Sequence, residues 1–161
     1  MRHRSLISLS REHHHALVLS MKCRKRALGQ AKPAPGESLQ EFADEVSRFF
    51  TRVLERHFQA EEKVLFPFTA AACPESHHLL GELRGEHDRI RRNVDGAKPA
   101  SRLAKSLFDF ADLLERHIRR EERELFPMFE RCVPESEAEE VGQKIDEFLQ
   151  PGQPAADRQK D

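Results

Sequence analysis

Residues 113–136 read LLERHIRREERELFPMFERCVPES, and residues 53–76 read VLERHFQAEEKVLFPFTAAACPES. Laid over each other, the two stretches share 12 of 24 positions, among them His57/His117, Glu61/Glu121 and Pro67/Pro127. In each copy a histidine precedes a glutamate by four residues. On an α-helix that interval stacks the two side chains on one face, one turn apart. Two such faces turned toward each other would make a metal site.

Apolar residues around both motifs recur at the helical period. One helix carries Phe42, Val46, Phe49/Phe50, Val53/Leu54, His57, Glu61, Val64/Leu65 and Phe68. It starts near Ser38, and Pro67, late in it, is expected to end or kink it. Its counterpart, expected to be capped by Ser101, carries Leu103, Leu107, Phe110, Leu113/Leu114, His117, Glu121, Leu125 and Met128. A helix from about Ser8 to Gly29 precedes them, with Leu6, Leu9, His13, Ala16/Leu17 and Met21 on one face. Its last turns hold Lys22, Arg24, Lys25 and Arg26, where cations suit the helix dipole. Between the two motif helices lies a third, expected to be capped by Ser76, with Leu79/Leu80, Leu83, His87, Ile90 and Val94. Loops or turns are expected at 32–38, 73–76 and 95–99. A second Pro-Glu-Ser at Pro134 leads to a short helix through Val141, Ile145 and Phe148/Leu149. The expected fold is all-α: an antiparallel up-down-up-down four-helix bundle with a short C-terminal fifth helix across one end. Residues 1–150 form the expected domain. The Pro-, Gln- and charge-rich residues 151–161 form an expected disordered tail.

Composition narrows the function. The chain has 161 residues, a net charge of −1 and 34% charged residues. A near-neutral balance argues against nucleic acid as a partner. The basic run Lys22–Arg26 lacks interleaved aromatics and reads as a solvated helix end. No apolar run is long enough to span a membrane. The stretch MRHRSLISLSREHHH has no sustained apolar segment, so the cytoplasm is the expected compartment. Cys23, Cys73 and Cys132 are widely spaced and form no C-x-x-C pair, so reduced, structural thiols are expected.

The inward faces hold polar residues that packing alone does not explain: His13, His57, Glu61, His87, His117 and Glu121. Two buried carboxylates facing each other repel unless cations lie between them. Four imidazoles and two carboxylates from facing helices are the ingredients of a two-metal site. The nitrogen and oxygen donors suit iron or manganese, and less distinctively zinc. Two six-coordinate metals offer roughly twelve positions; four histidines, two bridging glutamates and one solvent bridge leave about one open on each. On the first helix His13, His14 and His15 compete for the role: His13 shares a face with Leu9 and Leu17 and is favoured, while His14 lies about 100° around. His77 and His78 read as surface residues, and His3 as part of a flexible end. Glu62 and Glu122 point about 100° from their neighbours and read as salt-bridging.

With these residues in view, the chain resembles the hemerythrin-like, or HHE cation-binding, family of di-iron four-helix bundles over roughly residues 6–132. The paired H-x-x-x-E motifs with their L-F-P tails carry the resemblance, joined by Glu12-His13 and Glu86-His87. It implies that His13 and His57 bind one metal, His87 and His117 the other, and Glu61 and Glu121 bridge. The implied cofactor is two iron ions (Fe2+/Fe3+) with an oxo or hydroxo bridge, with manganese or zinc as substitutes. The implied partner is dioxygen or another small diatomic or anionic ligand. Oxygen-carrying hemerythrins have a further histidine four residues after the third-helix ligand, where this chain has Arg91, and a different interval to the second bridging acid. Both departures lead away from simple oxygen storage, toward divergent members linked to sensing, iron handling and redox chemistry. A binding protein acting as carrier, sensor or iron-handling module is the first expectation. A di-iron oxidase, peroxidase or nitric-oxide reductase is the second, and the lack of Tyr disfavours a tyrosyl-radical mechanism. A regulatory bundle stabilised by metal is the third. Arg91, one turn from His87, is expected to reach over the site toward an anionic ligand.

Overall fold

Among the described residues, four long helical rods and a shorter fifth make up the regular structure. The computed structural model describes residues 2–95 and 98–150. The expected tail over 151–161, and Gly96 and Ala97 of the expected turn, lie outside them. A 3-10 turn, Arg4–Leu6, leads into α1, Ile7–Ala27. The rod α2 spans 39–72 and is built from Leu39–Phe49, a π turn Phe50–Leu54, Glu55–Ala60, a second π turn Glu61–Leu65, and Phe66–Ala72. Helix α3 is His77–Val94. The rod α4 spans 100–132, from Ala100–Arg120 through a π turn Glu121–Leu125 to Phe126–Cys132. Helix α5 is Glu135–Leu149. No strand occurs among the described residues.

Local chemistry sets most of the ends. Ser38 opens α2 with a capping box: the Glu41 N–H donates to Ser38 Oγ at 3.1 Å, and the Ser38 N–H donates to the Glu41 carboxylate at 2.7 Å. Such a cap contributes about 1 kcal/mol. Gly29, at φ +66°, closes α1, where the Gln30 N–H turns back to the Lys25 carbonyl at 2.8 Å. A left-handed residue there suits glycine. Two expected caps are corrected. Ser76 sits in a 3-10 turn with helical backbone, and its side chain makes no capping bond to α3. Helix α4 starts one residue before Ser101, after Pro99, whose ring holds φ at −61° while ψ stays extended at 144°. Proline is thus the entry residue, and no hydroxyl cap forms.

Pro67 does not end the second rod. The Phe66 N–H donates to the Glu61 carbonyl five residues back, and the helix resumes through Ala72. In a regular helix the proline ring would press on the carbonyl four residues earlier. The wide turn just before it relieves that contact. The same device precedes Pro127, where the Phe126 N–H reaches the Glu121 carbonyl.

Two apolar clusters fill the interior. One contains Leu6, Leu9, Leu65, Phe66, Leu83, Leu125, Phe126, Phe129, Val141 and Ile145. The other contains Ala16, Phe50, Leu54, Phe58, Ile90, Leu107, Phe110 and Leu114. Along α1 the chain meets the first cluster before the second; along α2 the order is reversed, along α3 it returns, and along α4 it reverses again. All six inward polar residues fall at the boundary between the clusters. Met21, assigned from sequence to the inner face, is 47% exposed. The buried stripe of α1 runs Leu9, His13, Ala16, Ser20, Cys23, so Ser20 holds the inner place.

The expectation of three reduced thiols is overturned at two. Cys73 and Cys132 form a disulfide with Cα atoms 5.6 Å apart, while Cys23 stays free and buried. Burial pushes the Cys23 thiol up to about 12. Cys73 follows the end of α2 and Cys132 closes α4, so the fold joins what sequence spacing keeps apart. No helix among the described residues is long and apolar enough to cross a membrane.

Helix α5 packs against the N-terminal turn at Gly142, where an added Cβ would lie 2.9 Å from Ser5 Cα and 3.1 Å from Ser5 Cβ. Ser5 Oγ also donates to the Ala138 carbonyl at 2.5 Å, so the turn has little room to withdraw. Gly142→Ala gains about 1 kcal/mol of helix propensity but meets an overpacking cost of about 1–3 kcal/mol. We expect the clash to outweigh the gain and lower the urea midpoint; an unchanged or raised midpoint would mean the turn yields freely.

Candidate metal centre

Four rods each bring one histidine to the boundary between the apolar clusters, and two of them also bring a glutamate. His13 (α1), His57 and Glu61 (α2), His87 (α3), and His117 and Glu121 (α4) are all buried, at 2% exposure or less. All six residues singled out from sequence therefore meet. Of the competing histidines on α1, His13 is inside and His14 is exposed.

The rings pair. His13 Nε2 lies 3.0 Å from His57 Nε2, and His87 Nε2 lies 2.9 Å from His117 Nε2. Each glutamate then addresses both pairs. Glu61 Oε1 is 3.1 Å from His57 Nε2, and its Oε2 is 3.3 Å from His87 Nε2. Glu121 Oε2 is 3.2 Å from His13 Nε2, and its Oε1 is 3.2 Å from His117 Nε2. Two overlapping four-residue groups result, His13/His57/Glu61/Glu121 and Glu61/His87/His117/Glu121, each with ligand atoms close enough to hold a cation. The H-x-x-x-E interval is what lets one helical turn present an imidazole and a carboxylate together. The π turn that begins at each of these glutamates then re-phases the rod, so that Val64, Leu65 and Phe66 are all buried in succession. Wide turns of this kind are often found at functional positions.

The outer nitrogens are held by a second set of acids. His57 Nδ1 is 2.9 Å from Glu12 of α1; His87 Nδ1 is 2.8 Å from Glu62 of α2. His117 Nδ1 is 2.9 Å from Glu86 of α3; His13 Nδ1 is 2.8 Å from Glu122 of α4. Each rod's acid grips the histidine of the next rod, and the last returns to the first. A carboxylate at Nδ1 makes that nitrogen the donor and leaves the Nε2 lone pair facing inward, the form a metal needs. Three of these acids are in turn held by arginines: Glu62 by Arg91 at 2.8 Å, Glu86 by Arg120 at 2.6 Å, and Glu122 by Arg2.

Arg91 accordingly differs from expectation. Its guanidinium is taken up by Glu55, at 3.0 and 3.1 Å, and by Glu62, so it braces the His87 support instead of reaching for a ligand. Glu62 and Glu122 do form ion pairs with arginine, but they also orient imidazoles, a role the sequence reading did not give them. The available signal was their adjacency: Glu12 and Glu86 each precede a site histidine, and Glu62 and Glu122 each follow a site glutamate. His3 is tied down as well, with Nε2 at 3.0 Å from Glu135 and Nδ1 accepting from the Ser5 N–H.

The electrostatics identify what the centre lacks. The oxygens of Glu61 and Glu121 are buried, and with every Nε2 unprotonated none of them has a hydrogen-bond donor. In that state four Nε2 lone pairs and four carboxylate oxygens converge, an arrangement costly to bury unless positive charge fills it. In the metal-free chain, protons take that place. Burial pulls His57 down, but the Glu61 charge and the ring's bonds to the Glu12 and Glu61 carboxylates outweigh it and raise the ring to about 9. Burial likewise opposes His117, and Glu121 with Glu86 raises it to about 9. Burial pushes Glu61 up, yet His57 and the contacts of His13 and His87 hold it well below the usual carboxylate range. Two imidazolium rings with nitrogens 3.0 Å apart repel, so protons are a poor substitute for a shared cation. The residues present therefore fit metal binding, with the histidines as nitrogen donors and Glu61 and Glu121 within reach of both histidine pairs.

Two outcomes follow from this geometry. His57 and His117 are raised from 6.5 to about 9, so in the metal-free chain their contribution to stability is complete below pH 6.5 and lost as pH rises through about 9. The melting temperature in the presence of chelator should fall across that window; a flat profile would contradict the raised imidazoles. Removing a supporting acid should loosen the centre from outside it: Glu86→Gln is expected to weaken metal affinity about 10–100-fold, read by competition with a chromogenic chelator. Equal affinity would show that the acids merely decorate the surface.

Comparison with known proteins agrees with this donor set. A family model for the hemerythrin HHE cation binding domain matches residues 5–129. Neither a curated protein nor a solved structure matches the chain. The matched segment runs from the N-terminal turn through Phe129 and contains all six inward residues and all four supporting acids, and the chain belongs to the hemerythrin HHE cation-binding domain family.

Proposed function

We propose that the chain is a non-haem di-iron protein that reversibly engages dioxygen or a related small ligand, in a carrier, sensor or iron-handling role. His13 and His57 would hold one iron and His87 and His117 the other, with Glu61 and Glu121 shared between them. The observation that carries this reading is the convergence of four imidazole nitrogens and two carboxylates in one buried space. The absence of thiolate from that set favours iron or manganese over softer ions. The same reading takes the rods as an antiparallel up-down-up-down bundle, supported by the alternating order in which they meet the two apolar clusters.

Bound there, a pair of irons supplies adjacent Lewis-acidic, redox-active positions for a small ligand. The chain's own residues set the conditions. Glu12, Glu62, Glu86 and Glu122 each hold one Nδ1 and so turn the matching Nε2 toward the centre. Aromatic rings keep water out: His87 lies between Phe58 and Phe66, at 3.9 and 5.7 Å, and His13 stacks on Phe126 at 5.3 Å. A dry, pre-oriented pocket favours reversible binding over loss of reactive species to solvent.

Anaerobic titration with Fe(II) should saturate at about two ions per chain, and exposure to air should change the visible spectrum, with recovery on removing oxygen. Saturation at zero or one ion would sink the reading. Sustained turnover with an added reductant, well above free iron, would move the protein to the di-iron enzymes. His117→Ala should lower the iron content while leaving a helical circular-dichroism spectrum.

A further inference from the structure

A second group of ligand-bearing side chains lies apart from the His/Glu centre. The donor atoms of Cys73, Glu75 and Cys132 all fall within 4.8 Å of one another. Cys73 follows the last residue of α2, Glu75 stands in the turn behind it, and Cys132 ends α4. Cys73 is buried, Cys132 half-buried and Glu75 exposed, so the group opens to solvent on one side. Glu75 Oε1 is 3.9 Å from Cys132 Sγ and 3.4 Å from the exposed Arg131 guanidinium.

Joined as a disulfide, the two sulfurs are neutral and leave no lone pair in demand. A dithiol reductant changes this. It gives two electrons to the S–S bond, is itself oxidised to a disulfide, and its two protons end on Cys73 and Cys132. The freed thiols then face the Glu75 carboxylate and the negative ends of two helices, all of which oppose ionisation. A cation among them reverses that balance, because two thiolates and a carboxylate now surround positive charge, and the two thiol protons leave to solvent. The Cα separation of 5.6 Å allows the sulfurs to move from bonded contact to neighbouring corners of a tetrahedron by side-chain rotation.

We propose that reduction of the Cys73–Cys132 bond opens a second cation site, in which Cys73, Cys132 and Glu75 hold one thiophilic divalent cation of the zinc class and solvent supplies the fourth position. The site is independent of the iron reading: its donors are soft where the buried centre's are not, and each can stand if the other falls. Oxidation closes it and reduction opens it.

The test is a Cd2+ titration of the full chain, oxidised or dithiol-reduced and desalted anaerobically, followed by sulfur-to-cadmium charge-transfer absorption. Imidazoles and carboxylates cannot produce that band. It should appear only after reduction, saturate at about one equivalent, vanish in Cys132→Ser, persist in Cys23→Ser, and weaken roughly tenfold in Glu75→Gln. No band in the reduced wild type, a band that survives in Cys132→Ser, or unchanged affinity in Glu75→Gln would overturn the proposal. Should Cys132→Ser fail to fold, alkylation of wild-type Cys132 decides: Cd2+ should protect it, and equal labelling with and without Cd2+ would refute the site.

Discussion

Two buried carboxylates facing each other across the core are the constraint around which this bundle is organised. Glu61 and Glu121 are fully enclosed, and no water reaches their charge. Left alone, such groups would take up protons or break the core. The surrounding architecture answers that problem. Four imidazoles are aimed at the carboxylates, four further acids hold the imidazoles, and arginines hold three of those acids. Charge alternates outward in shells until it reaches solvent, where screening makes the last pairs nearly indifferent to stability. The apolar clusters on either side keep the inner shell dry, which strengthens every interaction within it.

Much of this was legible in the chain because the relevant signals are local. A histidine and a glutamate four apart, in phase with Leu54, Val64 and Leu65, mark an inward face whatever the tertiary context. The repeat then turns one ambiguous pair into two, and His13 and His87 follow from the phase of their own helices. What escaped sequence reading depends on distant parts of the chain. Cys73 and Cys132 carry no mutual spacing rule; they meet because both rods end at the same level. Arg91 faces the same helical stripe as His87, but its destination is set by Glu55 and Glu62 on another rod. The acids at Nδ1 belong to neighbouring helices, so periodicity within one helix could only call them surface charges. Ser76 and Ser101 failed as caps because proline, two residues earlier in each case, had already fixed the backbone entry.

Pro67 and Pro127 show how a local rule can be right about the strain and wrong about its consequence. The expected clash is avoided by an extra residue in the turn before each proline, and the rod continues. That extra residue also shifts the buried stripe of each rod by about one position. The face that presents Glu61 on one side of the turn therefore gives way to Leu65 and Phe66 on the other. A strictly regular helix would have had to choose between lining the polar centre and sealing it.

The supporting acids form a cycle: α1 grips α2, α2 grips α3, α3 grips α4, and α4 grips α1. In a linear series of contacts the outermost members can peel away one at a time. A loop of links has no outermost member. If any rod rolls about its long axis, it withdraws both the acid it offers and the ring it presents, severing two joints at once on opposite flanks. Rotation of one cylinder is thereby tied to all the rest, and the bundle behaves as a set of meshed gears locked against turning.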